Sequence, residues 1–372
     1  MRILKTLLFF CTTLLSIHAS AQFPLSDKAQ ISLLTCGPGD ELYSVFGHTA
    51  IRVNDPTTGT DAVYNYGMFD FDTDNFYLKF VKGDLQYYVG VDSYQDFVYT
   101  YRYYNRDVYQ QVLNLTKVQK QAIADALNAS LQPDKKFYTY KFIDRNCTTK
   151  VADIIKAHVP GGISFENSDK GKTNRRIIYE KLHDKFYESL GINLMFGYKT
   201  DVEQYKLFLP QQLLEGVKNT QTASGPLSQP VQTVFKAVRE DKSSRWNNIY
   251  TFSLFMLAVL ILSRKRQVAA VYLALTGILG IIFCTVGLYS LHHEVRLNYN
   301  ALLCNPLFLV LLYFMAKNNQ KWINIFVYAC LACIALYIAL MINKPHLIMM
   351  LPIIVTTVVV LWRQRDIASV RL

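Results

Sequence analysis

Gly47-His48 and Asn146-Cys147 carry the two residue types of nucleophilic acyl transfer, a histidine base and a cysteine nucleophile. His48 opens the alternating run His-Thr-Ala-Ile-Arg-Val, which predicts a β-strand. Cys147 closes the polar turn Asp144-Arg145-Asn146-Cys147, and the run Thr148-Thr-Lys-Val-Ala-Asp-Ile-Ile after it has helical spacing. A cysteine at a helix N-terminus has its thiolate stabilised by free backbone N–H groups and the positive end of the dipole. A histidine brought beside it by a strand would serve as its base.

The elements that must position this pair are legible around it. Asn54-Asp-Pro-Thr-Thr-Gly59 reads as a turn, and Ala62-Val-Tyr-Asn-Tyr-Gly67 as a strand returning antiparallel. A hairpin centred near Thr57 and Thr58 sets His48 opposite Asn65 to Gly67, so Asn65 is the candidate for orienting the imidazole, with Asp70 and Tyr43 in reserve. Thr116-x-x-Gln119 followed by Ala122 to Leu131 predicts a capped amphipathic helix that leads to Phe137–Ile143 and the cysteine turn. The stretch Phe76 to Tyr109 is dense in aromatics and reads first as β-rich core, with an acyl-chain groove or a membrane interface as the functional alternative. Arg102 and Arg106, one helical turn apart, are candidate phosphate contacts.

Outside this region the chain turns apolar. Arg2 and Lys5, the run Leu7 to Ile17 and Ala19-Ser20-Ala21 predict a signal peptide over residues 1–21, with Cys11 inside it. Apolar segments at 246–263, 267–291, 299–316, 322–341 and 347–362 predict five transmembrane helices. The clusters Arg264-Lys265-Arg266, Lys317 with Lys321, and Arg363 with Arg365 fall on alternate loops and mark the cytoplasmic side. Both signals put residues 22–218 in the periplasm, joined by a polar linker (219–245) to a membrane domain (246–372) whose C-terminus is cytoplasmic. Between the second and third spans, on the periplasmic side, His292-His293-Glu294 is either a plain loop or a polar lip for a headgroup phosphate or for the exported domain. Adjacent histidines point apart on a strand or helix, so no metal site is expected there.

The net charge of +11 sits partly on these clusters and forms no single stripe, so no nucleic acid is expected as a partner. Cys284, Cys304, Cys330 and Cys333 lie in apolar segments, leaving Cys36 and Cys147 in the exported domain. In an oxidising compartment two cysteines suggest a disulfide, and a non-enzymatic envelope protein with a Cys36–Cys147 bridge is one competing reading. Asn146 before the cysteine and a helix after it favour chemistry instead.

With these residues in view, the chain resembles the Bacteroides-type lipoprotein N-acyltransferases (Lnb). The resemblance lies in Gly39-Asp-Glu-Leu-Tyr-Ser-Val-Phe-Gly-His48-Thr-Ala-Ile-Arg-Val, Tyr64 to Phe71, Asn75-Phe76, Phe80 to Gly83, Asp144-Arg-Asn-Cys147-Thr-Thr, and His292 to Leu307. More distantly, Gly-His on a strand and Asn-Cys at a helix start are similar to the permuted NlpC/P60 and lecithin:retinol acyltransferase group. The second histidine of that group has no counterpart; Thr60 stands there. The resemblance implies an α+β exported domain of permuted papain-like type, followed by an all-α domain of five transmembrane helices in the bacterial inner membrane. It implies transfer of an acyl chain from a phospholipid, through a Cys147 thioester, to the terminal amine of a diacylglyceryl apolipoprotein. Cys147, His48 and Asn65 would be catalytic, with no cofactor, and Asn146, Arg102, His292 and His293 are candidate substrate or headgroup contacts. A phospholipase, or a cell-wall amidase or peptidase, would use the same Cys-His pair.

Overall fold

The computed structural model describes residues 24–238 and 244–365, so the expected signal peptide lies outside the described residues. The strands are β1 (Gln30–Cys36), β2 (His48–Asp55), β3 (Thr60–Met68), β4 (Gln86–Ser93), β5 (Val108–Val112), β6 (Phe137–Thr139), β7 (Gln221–Thr222), β8 (Gly225–Pro226) and β9 (Gln232–Phe235). Seven of them form one antiparallel sheet in the order β6-β4-β3-β2-β1-β5-β9. In the β2–β3 hairpin Ile51 faces Tyr64 and Asp55 faces Thr60, which centres the turn between Thr57 and Thr58 as the sequence predicts.

Alternation along the strands gives the sheet two apolar faces. Ile31, Leu33, Ile51 and Val53 pack against helices α3 (Lys117–Ala129) and α5 (Cys147–His158), while Leu34, Cys36 and Ala50 pack against α2 (Tyr94–Tyr103). The preceding helix is α1 (Phe76–Lys82), and α4 (Pro133–Lys136) is a single turn. Thr116 and Gln119 form the expected reciprocal cap of α3. Residues 219–235, expected as linker, belong instead to this domain. Gln-Thr-Val-Phe of β9 satisfies the free edge of β5, which a solvent-exposed edge would leave unpaired.

Three more helices, α6 (Asn174–Lys181), α7 (Phe186–Met195) and α8 (Pro210–Asn219), lead to the membrane half. That half comprises α9 (Ile249–Leu262), α10 (Arg266–Tyr289), α11 (Leu307–Ala316), α12 (Gln320–Met341) and α13 (Leu347–Arg365). Among the described residues four apolar segments are long enough to span a bilayer, and α9 is a shorter apolar helix. This agrees with a five-helix membrane domain. The third expected span, 299–316, is α-helical only over Leu307–Ala316; before it Tyr299–Leu302 is a 3-10 turn, because Asn298, Asn300, Asn305 and Pro306 divert the backbone. Phe186 and Leu190 of α7 share one core with Phe252, Leu273, Phe308 and Val327, so the two halves interlock.

Polar groups fix that junction. Arg175 is fully buried and uses its whole guanidinium: Nε donates to Asp201 at 2.9 Å, Nη1 to Asn193, and Nη2 to the carbonyls of Phe196 and Gly197. Asp201 also accepts from Tyr299 Oη at 2.6 Å and pairs with Lys344 Nζ at 2.9 Å, both from the membrane half. Removing one member of such a buried set leaves the others without partners, which costs about 3–5 kcal/mol. Arg175→Leu is therefore expected to lower the melting temperature in detergent and to speed proteolysis between residues 195 and 205. An unchanged melting curve would show that this network does not hold the halves together.

Candidate active site

The turn before α5 is built by one side chain. Asn146 caps the helix: its Oδ1 accepts from the Thr149 N–H at 2.9 Å, and its Nδ2 donates to the carbonyls of Phe142 at 2.6 Å and Phe208 at 2.8 Å. The Thr149 hydroxyl returns the bond, accepting from the Asn146 N–H at 2.8 Å. With its amide fully used and its side chain buried, Asn146 is a cap and not a substrate contact. Cys147 follows as the first helical residue, where backbone N–H groups have no partner within the helix.

His48 begins β2 opposite Cys36, and its ring lies parallel to Tyr101 of α2 at 6.4 Å between centroids. Its Nε2–H donates to Asn65 Oδ1 at 2.6 Å, and Asn65 Nδ2 donates in turn to Asp92 at 3.2 Å. With Nε2 committed to Asn65, Nδ1 is the ring nitrogen left to face the Cys147 thiol, whose charge the imidazole feels. The structure therefore brings Cys147, His48 and Asn65 into one chain of contacts. Asp70 and Tyr43 are elsewhere, Asp70 closing a local turn and Tyr43 packing on Phe69 and Phe71.

A residue without a side chain makes room for this contact. Gly67 bulges out of β3 with φ of 95°, and a Cβ there would stand 3.5 Å from both Cys147 Cβ and His48 Cε1. A Cβ would just touch both side chains, and the left-handed φ would strain the backbone of any other residue.

Electrostatics polarise the pair. For Cys147, burial alone would raise the thiol pKa. The neighbouring imidazolium, its hydrogen bond, the Thr49 N–H and the Thr148 hydroxyl outweigh it and hold the thiol below its ordinary value. For His48, burial pulls down, but the thiolate and the Asn65 bond win and the imidazole is pushed up. Both shifts favour a thiolate–imidazolium pair. Cys36 behaves in the opposite way: burial raises its thiol, and it remains a free, neutral core residue. Cys147 is free as well, so the disulfide alternative does not describe this structure.

Sequence reasoning overlooked Tyr138. It is buried, its hydroxyl has no hydrogen-bond partner, and that hydroxyl lies 4.0 Å from the Gly67 Cβ position between Cys147 and His48. Lys150 and Arg145 lie over its ring at 5.5 and 5.6 Å. Its signal was available in the alternation of Phe137-Tyr-Thr on the strand that runs into the cysteine turn.

The remaining candidates lie farther off. Arg102 is exposed and faces the Phe235 ring at 5.9 Å. α2 ends at Tyr103 and Asn105 takes a φ of 48°, so Arg102 and Arg106 share no helix face. Arg106 instead donates to the Gly37 carbonyl and stacks on Tyr101 at 4.8 Å. His292 bonds the Phe80 carbonyl at 2.9 Å, and burial lowers its pKa. The exposed His293 borders a cavity of about 310 Å³ with Asp144, Tyr205, Glu294 and Arg296. Glu294 is buried and accepts from the Ile143 N–H at 2.9 Å, and its own carbonyl accepts from Gly197 at 2.7 Å. The loop thus docks the exported domain, the second of its expected readings. No group of three or more metal-ligating side chains occurs among the described residues.

The model of the Lnb N-terminal periplasmic domain matches residues 20–179, and that of the Lnb transmembrane domain matches residues 248–367. The chain belongs to the Lnb family. No curated protein and no solved structure matches it. Membership of the Lnb family places the α/β domain in the periplasm and the helical half in the inner membrane.

The pair makes a checkable demand on thiol chemistry. Alkylation of Cys147 by iodoacetamide is expected to show its inflection below the ordinary thiol pKa of about 8.5, because a lowered pKa leaves thiolate present at lower pH. In His48→Ala only the Thr49 N–H and the Thr148 hydroxyl still oppose burial, and the inflection moves to higher pH than in the wild type. An identical pH profile in the two proteins would break the electrostatic assignment.

Proposed function

We propose that this protein is a lipoprotein N-acyltransferase of the thiol-dependent kind, with Cys147 as nucleophile, His48 as base and Asn65 as the residue that orients it. The observation that carries the reading is the contact chain Cys147–His48–Asn65 at the N-terminus of α5, in a domain joined to membrane helices. A cysteine at a helix start, packed on an antiparallel sheet whose strand supplies the histidine, supports a permuted papain-like kinship.

In the first half-reaction the Cys147 thiolate attacks the ester carbonyl carbon of a phospholipid. The C–S bond forms, the C–O bond to the glycerol oxygen breaks, and His48 gives its proton to that oxygen, releasing a lysophospholipid. In the second, the α-amine of a diacylglyceryl cysteine attacks the thioester. His48 takes the amine proton, the C–N bond forms and the thiolate returns. The oxyanion of each tetrahedral intermediate would be met by first-turn N–H groups of α5 and by the Tyr138 hydroxyl, whose lack of a partner in the resting protein supports this role. One such donor is worth roughly 3–4 kcal/mol. The membrane half keeps the site beside lipid-anchored donor and acceptor, which raises their effective concentration.

The decisive experiment is mass spectrometry of a reporter lipoprotein from cells lacking their own N-acylation. A third acyl chain is expected with the wild-type protein and not with Cys147→Ala or His48→Ala at equal protein levels. Two chains in every sample would dismiss the acceptor and favour a phospholipase. Tyr138→Phe is expected to slow thioester formation about a hundredfold while leaving the iodoacetamide rate unchanged, since alkylation builds no oxyanion. A parallel fall in both rates would make Tyr138 a packing residue only.

A further inference from the structure

Helix α1 is unusual for a helix in a folded domain, because none of its residues is buried. Its sequence, Phe-Tyr-Leu-Lys-Phe-Val-Lys, is nonetheless mostly apolar. Tyr77 is 75% exposed and Leu78 71%, with Phe80 and Val81 also exposed. An apolar surface of this kind on a water-facing domain marks a contact site.

Its position identifies the contact. The last turn of α1 is hydrogen-bonded to the periplasmic end of the spanning helix α10. The Val81 carbonyl accepts from Ser290 Oγ at 2.8 Å, the Lys82 carbonyl from the Leu291 N–H at 2.7 Å, and the Phe80 carbonyl binds His292 Nε2. Gly83, with φ of 77°, lets His292 approach so closely that a Cβ would stand 2.9 Å from its ring. At the same level α10 exposes Leu288 and Tyr289. Helix α1 is thus held where a spanning helix leaves the bilayer, the depth at which aromatic residues concentrate. Lys79 suits a lipid phosphate, while Lys82 is paired with Asp84.

Behind α1 an unbroken series of rings leads inward. Phe76 lies 4.9 Å from Phe71, Phe71 4.9 Å from Phe69, Phe69 5.1 Å from Tyr87, and Tyr87 6.3 Å from Tyr138 beside Cys147. Phe71 and Tyr43 are exposed while Tyr87 and Tyr138 are buried, so the series opens to the surface at its α1 end and runs into the core toward Cys147.

We propose that α1 lies in the outer-leaflet surface of the bilayer and that the track Phe76–Phe71–Phe69–Tyr87–Tyr138 receives a phospholipid acyl chain and leads it to Cys147. The second clause rests on the thioester reading above; the first does not. The occupant is the hydrocarbon chain of a membrane phospholipid, chosen because α1 is tied to a membrane helix at bilayer depth and is apolar where it faces outward.

The test uses the full chain carrying Cys147→Ala, with the photoreactive residue benzoylphenylalanine at position 78, reconstituted into vesicles of radiolabelled phosphatidylethanolamine and phosphatidylglycerol. Tyr99 on α2, 68% exposed, is the control position. Lipid labelling at 78 but not at 99 is expected; equal labelling at both, or none at 78, overturns the membrane position of α1. In the active chain, Leu78→Asp is expected to slow Cys147 acylation from vesicle phospholipid about tenfold or more and to leave acylation by soluble p-nitrophenyl acetate unchanged. Loss with both donors means the substitution damages the fold and overturns the path. Labelling at 78 together with no acylation from phospholipid in the wild type would instead fault the thioester reading while leaving α1 in the bilayer.

Discussion

The arrangement depends on the carboxamide of Asn146. One face of it caps α5 and the other grips the carbonyls of Phe142 and Phe208, so the turn that presents Cys147 has no freedom to slide along the sheet. A nucleophile must sit within a few tenths of an ångström of its base to be useful, and loops rarely hold that tolerance unaided. Here a single buried side chain does it by using both amide donors and its carbonyl oxygen at once. Glu294 adds a second restraint on the same turn through Ile143, from between two membrane helices.

Against this frame the pairing of His48 with Cys147 is a matter of what is absent as much as what is present. The imidazole comes from a strand and the thiol from a helix packed on that sheet, and the bare backbone of Gly67 lies against both. Burial on its own would neutralise both groups, raising the thiol and lowering the imidazole. Proximity reverses both tendencies, because each member supplies the other's counter-charge.

Much of this was readable in the residues because it is local. The hairpin register follows from turn chemistry at Asn54–Gly59, and Asn65 falls beside His48 from that register alone. The cap of α5 is likewise written in Asn-Cys-Thr-Thr. What escaped was non-local. β9 joins β5 across a gap of more than a hundred residues, and no periodicity announces it. The break before α11 is invisible to hydropathy, since Leu302, Leu303 and Cys304 are apolar while the asparagines around them decide the backbone. Tyr138 and the ring series behind α1 are ordinary aromatics until the fold sets them in a row.

The docking of Glu294 onto the cysteine turn has a consequence for the order of assembly. Cys147 leaves the ribosome well before residues 290–300, so the exported half is translocated while the loop that completes its turn is still unmade. The turn is finished only once α10 and α11 stand in the bilayer and carry Glu294 to Ile143. A chain stalled before the loop at residues 292–298 therefore lacks one of the contacts that hold the turn ahead of Cys147.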